Sequence, residues 1–199
     1  NPKGWPVKTL GDTCTSIKDG PHVSPSYVEN GVPFLSVNNI INGFWDLQNA
    51  RQISLKDHQK FIERTKPEKG DVLYTKGGTT GFAKFIDIDT EFSIWVHIAL
   101  LKYDKSCLNG RFLEGMLNSQ FCYQQSQKYT RGIANRDLVI GQMKKILVMI
   151  PPLKLQEKFA DLVGKILETK EMLCYKVLRD SVLFNSIMQR AFKGELNLK

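Results

Sequence analysis

"MIPPLKLQEKFADLV", Met149 to Val163, is where the chain changes character. Ahead of Pro151–Pro152, short apolar runs alternate with Gly, Asn, Asp and Pro. Behind the pair, Leu153 to Phe192 contains no proline and one interior glycine, Gly164. The first pattern is that of strands and turns and the second that of one long helix. The expected organisation is a body over 1–151 and a helical region over 152–199.

In the helical region Phe159, Val163, Ile166, Leu173, Val177, Phe184 and Met188 follow one another by steps of three, four or seven. That is a coiled-coil seam, with Lys170 and Asp180 as polar interruptions. A continuous helix from Gln156 to Ala191 would be about 54 Å long. A body of this size does not cover such a length, so the helix is expected to pair with another, from a longer chain or a second copy. The other reading is a helix broken in two that packs back on the body.

In the body, "VPFLSVNNI", "DVLYTK", "GFAKFIDI", "SIWVHIALLKY" and "KILVMI" read as strands. One helix is expected between them, at about Arg111 to Tyr129, with Phe112, Met116, Leu117 and Phe121 as its apolar stripe. The fold class is therefore α+β (mixed α/β), followed by a long coiled-coil-forming helix.

Composition narrows the function. Hydrophobic content of 42% and charged content of 24% are ordinary for a globular protein. No apolar run approaches ~18 residues and no signal peptide opens the chain, so neither a membrane span nor export is expected. Because the sequence begins at Asn1, the numbering is expected to start inside a longer chain. Cys14, Cys107, Cys122 and Cys174 are far apart, as are His22, His58 and His97. This spacing suggests reduced cytoplasmic thiols, with neither a disulfide framework nor a metal site. A net charge of +8 favours polyanionic partners, because lysines and arginines that meet phosphates release condensed counterions.

The stretch "GDVLYTKGGTTGFAKF", Gly70 to Phe85, tests the nucleotide-binding class. A P-loop needs its lysine after the second glycine, at the mouth of a helix. Here Lys76 precedes Gly77, Gly78 and Gly81, and strand-forming residues follow. No G-x-G-x-x-G fingerprint occurs either. The segment reads as strand–loop–strand with its tip at Thr79–Thr80. Its glycines suit either a plain hairpin turn or a backbone that comes close to an anion.

Three stretches together resemble a known family. "GWPVKTLGD" has Trp5, Val7, Leu10 and Gly11 at the spacing that opens a target recognition domain. "MIPPLKLQEKFADLV" is similar to the proline-proline-leucine segment that starts a conserved helix, with "LKLQE" departing from the usual Glu-Gln order. "SIMQRAFKGEL" resembles the close of that helix. "GGTTG" fits a Gly-Thr-x-Gly loop that follows a strand. The chain thus resembles the DNA-specificity (S) subunit of type I restriction-modification systems, as one recognition domain plus one conserved helix. Full subunits of that family resemble two such units in tandem.

The resemblance implies a prokaryotic, cytoplasmic, non-catalytic subunit that reads one half of a bipartite sequence in double-stranded DNA. Its helix would space the domains and dock the methyltransferase (M) subunits, alongside a restriction (R) subunit. The chain itself would carry no cofactor, with S-adenosylmethionine, ATP and Mg on the partners. The sequence shows no [DN]-P-P-[YFW] motif and no glycine fingerprint for S-adenosylmethionine. A native half-subunit would form a homodimer through the helix. The alternatives are the recognition portion of a single-chain restriction-methyltransferase, and a coiled-coil interaction protein that binds no DNA.

Base readout takes Arg or Lys to guanine and Asn or Gln to adenine. Candidate DNA contacts are Lys18 and His22 in "SIKDGPHVSP", and Asn38 and Asn39 in "LSVNNIINGFWD". The asparagines could read adenine or cap a turn. Lys128, Arg131, Asn135 and Arg136 cluster in "QKYTRGIANRDL" beside one acid, Asp137. With the family in view, Lys76, Thr79 and Thr80 are expected to grip a DNA phosphate. Trp45 and Trp95 are expected in the core.

Overall fold

The computed structural model describes residues 1, 3–133 and 135–193, with their side chains except those of Glu171, Cys174, Tyr175 and Leu178. The Cys174 thiol and Gly194–Leu196, which close the helix-ending motif, lie outside the described residues. The elements run β1 (Val7–Thr9), α1 (Leu10–Thr13), β2 (Cys14–Asp19), β3 (Tyr27–Val28), β4 (Val32–Leu35) and a 3-10 turn (Val37–Asn39). Next come β5 (Arg51–Ile53), α2 (Leu55–Arg64), β6 (Val72–Thr75), β7 (Ala83–Phe85), β8 (Ser93–Ile94) and β9 (Ile98–Tyr103). Then follow α3 (Gly110–Leu117), α4 (Gln120–Tyr129), α5 (Ile140–Met143), β10 (Leu147–Met149) and α6 (Leu153–Phe192). The fold is α+β, in two compact units, Asn1–Glu157 and Lys158–Lys199.

The central sheet has the order β2-β9-β6-β7 and is antiparallel throughout. Its two central strands, β6 and β9, alternate between two buried faces, which is why they read as largely apolar runs. Val72, Tyr74, Ala99 and Leu101 face one cluster with Leu113, Leu117 and Cys122 from α3 and α4. Leu73, Ile98 and Leu100 face a second cluster with Leu35, Ile40 and Ile94. The second sheet, β3-β5-β4-β8, pairs β4 with β8 in parallel. Trp95–His97 separates β8 from β9, so the single run "SIWVHIALLKY" supplies one strand to each sheet. Trp95 and Trp45 are half-buried and pack against core clusters.

The expected Arg111–Tyr129 helix is two helices. Asn118 ends α3 because its side chain accepts from the Ala83 N–H and donates to the Ala83 carbonyl, bonding to the free edge of β7. Ser119 then caps α4. Helix α2 was not expected. Ser54 caps it, and its buried face is His58 and Phe61, too short an apolar stripe to count by periodicity.

Helix α6 starts at Leu153, one turn before the expected Gln156, and runs 40 residues, about 60 Å. Gln156 is fully buried within the first unit. Its Oε1 accepts from the Asn109 N–H at 2.9 Å, and its Nε2 donates to the carbonyls of Pro151 at 2.8 Å and Cys107 at 3.2 Å. In the second unit Ile166, Leu173, Val177 and Phe184 are each more than half exposed. At about 100° per residue the seven seam positions fall within a stripe of about 80°. Leu162, Met172, Leu183 and Ile187, also exposed, widen it to about 180°.

Candidate nucleic-acid interface

Three loops meet at the ends of β2, β6 and α4. The glycine-rich loop follows β6, and its ends are closed by Gly81 N–H donating to Thr75 O at 3.0 Å and Thr75 N–H to Phe82 O at 2.8 Å. Gly81 has a φ of +87°, and a Cβ there would lie 2.2 Å from Ser126 Oγ. The loop after α4 is closed by Arg131 and Asp137, which exchange N–H···O bonds at 2.9 Å in both directions. The two loops are joined by Gly78 N–H to Arg136 O at 3.0 Å and Leu138 N–H to Lys76 O at 2.7 Å. Gln127 on α4 serves both, donating to Thr80 O at 3.1 Å and accepting from the Arg136 guanidinium.

The third loop follows β2. Asp19 is buried at its root and accepts from Arg64 at 2.8 Å, with His22 Nε2 at 3.2 Å and Lys76 Nζ at 3.4 Å. Lys76 Nζ also lies 3.4 Å from Asp137 Oδ1. One chain of charges, Asp19–Lys76–Asp137, therefore runs under all three loops. The platform beneath is apolar, and burial pushes the Cys122 thiol of α4 up to about 12.

The residues expected to grip a phosphate are largely engaged within the protein. The N–H groups of Gly77, Gly78 and Gly81 are donated to His97 O, Arg136 O and Thr75 O, so they do not form an anion cradle. The Lys76 side chain is 8% exposed and sits between two carboxylates. Thr80 is buried and its hydroxyl bonds Thr130 Oγ1 at 2.9 Å. Of the three residues, Thr79 alone is exposed. The asparagine pair divides in the same way. Asn39 is buried; its Oδ1 accepts from the Ser36 N–H and hydroxyl, and its Nδ2 donates to Asp46 O, which makes it a turn cap. Asn38 is exposed.

Lys128, Arg131, Asn135 and Arg136 are all exposed at the end of α4 and on the loop it leads into. His22 is exposed and oriented by Asp19. Lys18 is exposed on β2 and, among the described residues, makes no ion pair. A cleft of about 520 Å³ lies between Gly77–Thr79 and the segment carrying Asn38, and is also bordered by Asn49, Arg51, Trp95 and His97.

Sequence reading missed Asp19, Gln127 and Ile133. Asp19 stands between Lys18 and Gly20, and of its partners only His22 is near in sequence. Gln127 has no motif to mark it. Ile133 is wholly exposed on a cationic loop, next to Gly132, whose φ is +83°. An apolar residue inside "TRGIANRD" was the available signal.

Comparison with solved structures gives the class of the fold. The S subunit of a type I restriction-modification system from M. genitalium superposes with a TM-score of 0.68 at 15% identity, over 96% of this chain and 46% of that one. The HsdS subunit from Thermoanaerobacter tengcongensis gives 0.57 at 19% identity, over 98% and 46%. The family model described as type I restriction modification DNA specificity domain matches residues 2–172, and the chain belongs to that family. It is 26% identical over 192 residues to the type I restriction enzyme MjaIX specificity subunit of Methanocaldococcus jannaschii, covering 92% of this chain and 43% of the relative. The chain thus spans a little under half the length of these relatives. Among the described residues no helix is long and apolar enough to cross a membrane, and no group of three His, Cys, Asp or Glu is placed to hold a metal ion.

Proposed function

We propose that this chain is the DNA-reading unit of a cytoplasmic type I specificity subunit, taking one half of a bipartite target. The observation that supports it best is the joining of three polar loops into one surface, which gathers His22, Thr79, Arg131, Asn135 and Arg136 with Asn38 across the cleft. Arg131 and Arg136 suit guanine edges or phosphates, and Asn38 and Asn135 suit adenine. Ile133 supplies an apolar contact for a thymine methyl. The body is residues 1–151 in functional terms, and 152–199 is spacer and dock.

The chain does no chemistry in this reading. Methyl transfer and cleavage, with S-adenosylmethionine, ATP and Mg, belong to M and R subunits that it directs to the site. The exposed seam of α6 pairs with a second helix of the same kind, from the rest of a longer subunit or from a second copy. Two copies would read an interrupted palindrome, because identical domains related by a twofold axis read inverted half-sites.

Methylome sequencing of cells with and without the gene tests the reading. The expected result is loss of one bipartite methylated motif. An unchanged methylome, with the M subunits expressed, would overturn it.

A further inference from the structure

Lys76 is withdrawn from solvent, unlike Lys18 and Lys128 of the same surface. Its ammonium lies 3.4 Å from Asp19 and 3.4 Å from Asp137, and the Asp19 side chain is itself only 6% exposed. Each of these three residues belongs to a different loop. Asp19 roots the segment that carries His22, Lys76 precedes the glycines, and Asp137 closes the Arg131–Asp137 loop. Arg64 of α2 holds the far side of Asp19 at 2.8 Å. Removing the central cation leaves carboxylates facing one another, one of them buried, so the loops would shift until water reached them.

We propose that Lys76, with Asp19 and Asp137, is a positioning clamp that sets the three recognition loops relative to one another. This rests on the DNA-reading role above and adds to it a division of labour. Exposed Arg131 and Arg136 meet DNA directly, whereas the clamp supports discrimination without touching it. A phosphate contact and a clamp make opposite predictions for salt dependence. Loss of a phosphate contact lowers the slope of log K against log salt by about one and weakens all sequences alike. Loss of a clamp leaves the slope and lowers the ratio between target and non-target.

The test uses the complete native assembly that contains this chain. Its probes are a fluorescent duplex carrying the methylated motif and a scrambled duplex, titrated at several salt concentrations. Lys76→Met keeps the stem and removes the charge. Asp137→Asn acts from the side that is 44% exposed and serves if Lys76→Met fails to fold. Both variants are expected to lower the target to non-target ratio roughly tenfold or more, as loss of a base contact does, with the salt slope unchanged. Both should also speed hydrogen exchange at the Gly78 and Leu138 amides, which join the loops. A slope lower by about one with an unchanged ratio would make Lys76 a phosphate ligand and overturn the clamp. Unchanged exchange at both amides would overturn it as well. Absence of DNA binding by the parent assembly would sink the DNA-reading role itself, and the exchange result would still decide whether the clamp exists.

Discussion

The backbone N–H of Gly78 donates to the carbonyl oxygen of Arg136 at 3.0 Å. Fifty-eight positions apart in sequence, the two residues are neighbours on one surface. The glycines that looked like a phosphate cradle are the edge on which a second loop is built. Their backbone donors are occupied with protein, so side chains are left to meet a ligand.

The glycines should therefore differ sharply when replaced. Gly78 has a φ of +68°, and a Cβ there would meet nothing within 4 Å, so Gly78→Ala meets strain alone, about 1–2 kcal/mol. Gly132 has a φ of +83° and a Cβ there would lie 2.2 Å from Asn135 O. Gly132→Ala is expected to open the Arg131–Asp137 loop. Amide exchange at Arg131 and Asp137 should accelerate in Gly132→Ala and stay near the parent rate in Gly78→Ala.

The two adjacent asparagines offer a second contrast. Asn39→Ala removes three hydrogen bonds from a buried turn and should lower stability to urea by about 1–3 kcal/mol. Asn38→Ala should stay within about 0.5 kcal/mol of the parent, as exposed sites do, while changing DNA affinity. Equal stability losses would show that Asn38 is structural too.

Stability should fall in alkali. Burial raises the Cys14 and Cys122 thiols from the ordinary 9.0 to about 12, and also raises the Tyr74 hydroxyl. Between about pH 9 and 12 the unfolded chain has released these thiol protons and the folded chain holds them. The folded state then binds more protons, and stability declines as pH rises through that window. Thermal unfolding at pH 8, 9.5 and 11 checks this. Cys14→Ala with Cys122→Ala should flatten the decline.

The pairing of α6 has its own test. Leu173→Asp with Val177→Asp places two carboxylates on side chains that are more than half exposed, so the recognition body should keep its circular dichroism and melting behaviour. Association in analytical ultracentrifugation and methylation in cells should both be lost. A double variant that associates as the parent does would remove these residues from the seam.

Much of the body was legible because its central strands are buried on both faces. Unbroken runs such as 72–74 and 98–101 follow directly from that burial. Helix α2 was hidden because a histidine, bonded to Ser93 Oγ at 2.9 Å, does part of the work of an apolar residue. The break between α3 and α4 was hidden because its cause, the β7 edge, lies 35 positions away. In the interface, the cationic loop was visible as composition. The burial of Lys76 was not, since both its partners come from distant segments and a lysine beside glycines looks the same whether it faces water or carboxylates.

Gln156 bears on where the recognition body ends. The proline pair is the visible seam in the sequence, yet the side chain that seals the body's end lies beyond it, on the first turn of α6. A recognition module transplanted with its junction at Pro152 would leave behind the partner of the Asn109 N–H and of the Cys107 and Pro151 carbonyls. Joined after Glu157, the module would carry that closure with it. The structural unit is thus longer than the punctuation suggests, by a single helical turn.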